Sequence, residues 1–250
     1  MITLLSPAKS LNESVDVANI ETTKPLFLDK SDELIDCLKK LSADQLSKLM
    51  KLSQNLSEIN IERYNNWAID KHSSEGKPAV FLFDGDVYKG FNAQSLDSID
   101  LNFAQNNILI LSGLYGMLRP LDAILPYRLE MGTKLSNSKG SNLYNFWKQQ
   151  VTETINNLEQ EVVVNLASNE YFSVIDQKKL NKRVITPLFK EFRNGSYKVI
   201  SFSAKKARGQ MARYIVDNTI DDPQELKNFD IDNYVFDENL SKGDSWVFTR

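Results

Sequence analysis

Val162-Val-Val-Asn-Leu-Ala-Ser-Asn169 begins with three β-branched residues and then breaks into a small polar loop. A continuous apolar run of this kind suits a strand buried on both faces. Similar runs recur at Ile2–Leu5, Ala79–Phe83, Ile108–Leu111, Arg183–Thr186, Tyr197–Phe202, Tyr234–Phe236 and Trp246–Thr249. Between them lie helical patterns. Asp32–Leu41 aligns Leu34, Ile35, Leu38 and Leu41 on one stripe, and Asn142–Leu158 aligns Tyr144, Trp147, Val151, Ile155 and Leu158. Interleaved strands and helices predict an α/β fold around a mixed central sheet flanked by helices, with α+β as the alternative. No repeat or Pro/Gly/Ser-rich linker divides the chain, so residues 1–250 are expected to form one domain, with Lys71–Lys77 and Ser136–Ser141 as loops.

The chain has 250 residues, 42% hydrophobic and 25% charged, an ordinary globular composition. It has no apolar run near the ~18 residues a membrane span needs, and Met1–Ser6 reads as a first strand rather than a signal peptide. A cytoplasmic location is expected. The only cysteine, Cys37, excludes an internal disulfide; with one histidine, His72, soft metal ligands are too few for a zinc or iron–sulfur site. Neither supports a Ser-His-Asp or Cys-His nucleophile system, and both are expected to be structural. No cofactor fingerprint occurs, and no cofactor or metal is expected.

Charge is distributed unevenly. The net charge is −3, yet Phe192–Val216 carries six basic residues and no acid: Arg193, Lys198, Lys205, Lys206, Arg208 and Arg213. Asp217–Arg250 reverses this, with nine acids against three bases. Such polarity can steer a polyanion to one face. A helix is expected after Ser203 as N-cap, with Lys205, Lys206, Arg208 and Arg213 on one arc and Ala207, Met211, Tyr214 and Ile215 opposite. Lys205 and Lys206 then fall in the first turn, beside free N–H groups, as an anion site would require. The alternative is a solvated face.

Four polar loops follow strand candidates: Ser6–Lys9, Asp84–Gly90, Ser112–Gly116 and Leu166–Asn169. If the strands run parallel, these loops can converge at their carboxyl ends, where ligands collect in open α/β sheets; each is also compatible with a plain turn. Asp84-Gly-Asp86 suits a turn better than a hard cation. Leu111–Gly132, with two prolines and three glycines, reads as a long structured loop. Its Arg119 and Arg128 offer forks for phosphate or, equally, ion pairs with Asp122 and Glu130. Residues 42–67 predict a helix over Asp44–Met50, a turn and a second helix over Asn55–Trp67, opened by a Ser42/Gln45 capping box. Helix-hairpin-helix elements present backbone N–H groups to DNA phosphate through such a turn. Here Lys51 and Ser53 stand where glycines are usual, and a simple packed helix pair is the alternative.

Taken together, Leu5–Leu11, Phe83–Gly90, Leu111–Gly132, Asn165–Phe172 and Ser201–Arg213 resemble the YaaA family of bacterial peroxide stress resistance proteins, in the family's order and across essentially the whole chain. Small departures occur, as at Asn169 and Ser173. The resemblance implies a compact α/β protein with a positively charged cleft, a helix-hairpin-helix-like element near residues 42–67 and affinity for duplex or branched DNA. It also implies protection against peroxide by limiting iron-dependent damage. Candidate phosphate contacts are Lys9, Lys51, Arg119, Arg128, Lys205, Lys206, Arg208 and Arg213. An enzyme acting on a nucleobase or DNA lesion is the alternative, with Lys9, Asp86, Tyr88 and Glu170 as candidate catalytic residues and Lys9 as a Schiff-base nucleophile. An iron-binding or regulatory partner protein is a third.

Overall fold

Strand β1, Ile2–Leu5, is buried at all four residues because it lies mid-sheet with both faces covered. The computed structural model describes residues 1–17 and 19–250. β1 pairs in parallel with β2 (Ile108–Ser112) on one side and β4 (Val162–Asn165) on the other. β3 (Gly116–Leu118) returns antiparallel on β2. Beyond β4, β5 (Arg183–Arg193) runs parallel to it, and β6 (Ser196–Lys198) folds back on β5 as a hairpin. β7 (Val235–Lys242) and β8 (Ser245–Thr249) form an antiparallel pair, and β8 lies parallel to β5. The order across this mixed eight-stranded sheet is β7-β8-β5-β4-β1-β2-β3, with β6 on β5. The α/β layer structure expected from the alternating runs is therefore present, around one continuous hydrophobic core.

The helices start where local chemistry allows. α1 is Leu28–Lys39. α2 (Ala43–Met50) opens on the capping box, with the Gln45 N–H on Ser42 Oγ at 3.2 Å and the Ser42 N–H on Gln45 Oε1 at 2.8 Å. Lys51 ends it in the left-handed conformation, φ 54°, and Ser53 caps α3 (Gln54–Asn66). α4 is Asp86–Phe91 and α5 is Ser98–Asn107. Asn142 caps α6 (Leu143–Asn156) through its side chain. α7, Ser201–Asp217, crosses α4 at backbone distance. A Cβ on Gly209 would lie 1.8 Å from the Val87 carbonyl oxygen, and one on Gly90 would lie 2.2 Å from that of Lys206.

Four sequence expectations are corrected. Ala79–Phe83 is not one strand: Ala79–Leu82 forms a buried helical turn after Pro78, and only Phe83 begins a two-residue strand on Ser10–Leu11. A fully buried apolar run has no periodicity to separate strand from helix. Tyr197–Phe202 is strand only to Lys198; α7 starts at Ser201, and Ile200 occupies the N-cap without a side-chain cap. Ser203 instead lies inside the first turn, where it helps to lower the pKa of the buried Glu191 carboxylate. Lys205 and Lys206 thus sit in the second turn, away from the helix's free N–H groups. His72 is no loop residue either. It opens a short helix, His72–Glu75, and is buried. Finally, Leu111–Gly132 contains β3 and the short strand Ala123–Ile124, paired with Lys77–Pro78.

Glu191 anchors the root of the β5–β6 hairpin. It takes Arg250 Nη2 at 2.8 Å and Arg193 Nη2 at 2.9 Å. The Ser203 hydroxyl first, then the two guanidinium groups, lower its pKa to about 2. A carboxyl whose folded pKa is depressed stabilises the fold above its unfolded value, and that contribution is lost as pH falls through the folded value. Thermal melts of wild type and Glu191→Gln from pH 7 to pH 2 test this. The wild type should hold a margin of about 3 kcal/mol at neutral pH that shrinks below about pH 4.5. A margin independent of pH would show that Glu191 is not held as a paired anion.

Candidate functional site

Parallel pairing of β1, β2 and β4 brings their carboxyl ends, and the loops that follow, to one edge of the sheet. The Ser168 N–H donates to Ser6 Oγ at 2.9 Å, tying the loop after β1 to the loop after β4. The Tyr88 hydroxyl, from α4, donates to the Ser6 carbonyl at 3.1 Å. Lys9 Nζ is 2.7 Å from Glu130 Oε2, while Arg128 holds Glu130 Oε1 at 3.1 Å. Glu170 Oε1 accepts the Gly132 N–H at 2.9 Å, and the Tyr144 hydroxyl donates to the Glu170 carbonyl at 2.9 Å. Behind this polar rim, the Tyr127 hydroxyl and Ser112 Oγ are 2.6 Å apart. Burial pushes the phenols of Tyr88, Tyr127 and Tyr171 up, so all three are neutral hydroxyls at physiological pH.

Deeper still is a closed polar network. The Trp67 indole N–H and the Leu125 N–H both donate to the Tyr115 oxygen, at 3.1 and 3.2 Å. The Tyr115 hydroxyl is left to donate to His72 Nε2 at 3.0 Å, because His72 Nδ1 faces the Ala68 and Ile69 carbonyls. Desolvation holds the His72 pKa below its ordinary value, as a neutral acceptor requires. This network supports the wall of the site: the Tyr64 hydroxyl on α3 donates to the Arg128 carbonyl.

The predicted residues divide by partner. Five of the eight candidate phosphate contacts have carboxylates beside them: Lys9 and Arg128 share Glu130, Arg119 pairs Asp122, Lys206 pairs Asp232, and Arg213 pairs Asp217. The side chains of Lys51, Lys205 and Arg208 have no hydrogen-bond or ion-pair partner among the described residues. Arg208 is half-buried, and desolvation alone depresses its pKa. Of the four catalytic candidates, Tyr88 and Glu170 are committed to backbone groups. Lys9 keeps its side chain 61% exposed despite its ion pair. Asp86 opens α4 without a partner among the described residues, and Asp84 lines a surface cavity of about 180 Å³ beside Lys89. Among the described residues no three carboxylate, imidazole or thiolate side chains converge on one point.

Topology places the basic helix relative to this edge. β5 pairs with β4 only through Arg183–Ile185 and continues to Arg193. At roughly 3.3 Å per residue, the hairpin tip overhangs the carboxyl edge by about 25 Å. α7 starts just after the hairpin and runs back for 17 residues, roughly 25 Å. Beyond its far end, Asp221 pairs with the Met1 amino group at the opposite edge. Gly90 and Val87 of α4 meet the backbone of Lys206 and Gly209, so Lys205 and Arg208 lie on the stretch of α7 packed beside the helix that carries Tyr88 to the Ser6 loop. The α2–α3 turn is the outlier. Lys51 is about 20 Å along α3 from the Tyr64 contact with Arg128. Sequence reasoning placed Ser6 and Ser168 in loops that converge but singled out neither, nor Tyr171, because isolated serines and tyrosines carry no pattern of their own.

These features define an α/β protein with a polar site at the carboxyl edge of a parallel core. The chain belongs to the family described as peroxide stress protein YaaA, whose model matches residues 1–240. It is 48% identical to a UPF0246 protein of Hahella chejuensis over 254 residues, covering 100% of this chain and 99% of the relative. UPF0246 proteins of Ralstonia pickettii and Saccharophagus degradans are 49% and 47% identical over the same length, with the same coverage. No helix among the described residues is long and apolar enough to cross a membrane.

Proposed function

We propose that this member of a peroxide stress family binds duplex or branched DNA through its phosphates, in a cleft between the strand-end loops and the basic half of α7. The observation that carries this is Arg208: a half-buried guanidinium with no carboxylate or other partner among the described residues. A desolvated cation is costly unless an anion completes it, and Arg presents a planar fork that matches phosphate. Lys205 and Lys198 stand nearby in sequence with no acid between residues 192 and 216. Lys9 and Arg128, sharing one carboxylate, carry a local excess of one positive charge. The commitment of Tyr88 and Glu170 to backbone groups favours binding over catalysis.

Limitation of iron damage follows from the same contacts. DNA phosphates hold a condensed atmosphere of cations, and Lys and Arg side chains displace them. Ferrous ions are displaced with the rest, so hydroxyl radicals form away from the bases. The test uses Lys198→Glu/Lys205→Glu, two exposed changes that leave the core intact. Duplex affinity at about 50 mM salt should fall at least tenfold, and the slope of log affinity against log salt should become shallower by about two. Unchanged affinity and slope would remove the basic half of α7 from the interface.

A further inference from the structure

From the β5–β6 hairpin we infer a second binding element on this protein, an aromatic platform that stacks unpaired nucleobases; this deepens the DNA-binding proposal and rests on it. Phe192 and Tyr197 sit directly opposite each other in the hairpin register, so both rings project from the same face. Their ring centroids are 5.3 Å apart, and the residues are 58% and 42% exposed. Val199 and Phe202, close in the chain, are exposed as well, at 52% and 65%. Four large apolar residues left in water within eleven positions mark an interaction surface.

The hairpin is built to hold its shape. Asn194 and Gly195 turn it with φ of 51° and 78°, the two positive values that a tight two-residue hairpin turn requires. Its root is fixed by the Glu191 contacts with Arg193 and Arg250. A rigid pair of rings loses little freedom on binding.

Charge selects the occupant. Lys205 lies one helical turn after Phe202 and has no ion-pair partner among the described residues, no acid occurs from Phe192 to Val216, and Lys198 follows Tyr197 on the other face of the strand. A second copy of this chain, docked face to face about a two-fold axis, would bring Lys205 against its own copy. Exposed rings among unpaired cations match a strand whose bases stack while its phosphates meet lysines. The overhang beyond β4 carries the platform out past the edge where the strand-end loops lie, so a duplex held at that edge would present its frayed, gapped or branched bases to the rings.

The experiment compares a blunt duplex with the same duplex carrying a single-stranded overhang labelled with 2-aminopurine, using wild type, Phe192→Ala/Tyr197→Ala and Tyr197→Phe. Wild type should bind the overhang DNA at least about tenfold tighter than the blunt duplex, since one stacked base contributes roughly a factor of ten, and the fluorophore should quench. The double variant should lose both preference and quenching while keeping its blunt-duplex affinity and circular dichroism. Tyr197→Phe, which retains the ring, should behave as wild type. Equal wild-type affinity for the two DNAs, or a preference that survives the double substitution, overturns the platform and leaves phosphate binding standing. Absence of binding to either DNA overturns both. A wild-type dimer that the double variant converts to monomer overturns the platform in favour of self-association.

Discussion

Replacing Tyr115 by Phe is expected to destabilise the protein by about 4 kcal/mol, although it removes a single oxygen. That oxygen accepts the Trp67 indole N–H and the Leu125 N–H and donates to His72 Nε2. The substitution leaves all three groups buried without a partner, at about 1–3 kcal/mol each. Tyr127→Phe is the internal control. Its hydroxyl meets Ser112 Oγ, which also accepts the Tyr115 N–H, so its loss should cost only about 1 kcal/mol. Urea titrations followed by tryptophan emission measure both. Equal losses for the two variants would show that Tyr115 is not the hub of the network. A large Tyr115 effect would also loosen the wall that carries Arg128, because Trp67 closes the end of α3 from which Tyr64 holds the Arg128 carbonyl.

Gly209→Ala should lower stability by about 2–3 kcal/mol, even though alanine is the better helix former. In an open helix the exchange would gain about 1 kcal/mol. Here the new methyl would meet the Val87 carbonyl oxygen at 1.8 Å, and a carbonyl cannot rotate away as a side chain can. Overpacking typically costs about 1–3 kcal/mol and more in the worst cases; with a backbone oxygen at 1.8 Å the cost is about 3–4 kcal/mol, so the clash outweighs the propensity by about 2–3 kcal/mol. Gly90→Ala enters the same α4–α7 contact from the other side, at 2.2 Å from the Lys206 carbonyl oxygen. Once the helices have been forced apart, the second methyl finds room, so the double variant should lose less than the sum. Thermal melts decide it: a drop of roughly 4–12 °C is expected for Gly209→Ala in a chain of this size. A rise in Tm would mean that α4 and α7 do not touch at backbone distance. The contact matters to the site because α4 carries Tyr88 to the Ser6 carbonyl and α7 carries Arg208.

Most of the sheet was legible because its strands are short apolar runs. Ile2–Leu5 and Val162–Asn165 read as strands without reference to anything distant, and both are parallel partners in the centre. The helix pair at 42–67 was equally local: a capping box and a polar turn specify it within a few residues. Ala79–Phe83 failed for the opposite reason, since its conformation is set by partners about seventy residues before it and forty after it. Ser203 is a good N-cap residue that does not cap, because the helix already begins at Ser201 and leaves it inside the first turn, twelve residues after the buried Glu191.

The sequence by itself determined the layer class, the acid-free stretch from Phe192 to Val216 and the loops that follow the central strands, because all of these depend on residue type and near neighbours. Only the tertiary structure decided which cations keep their charge to themselves. Lys206 and Arg208 are two positions apart, yet one meets Asp232 and the other meets no partner among the described residues. Coulomb interactions fall off over a few ångströms in a protein, and separations on that scale between distant segments are fixed by the packing of the core rather than by order along the chain.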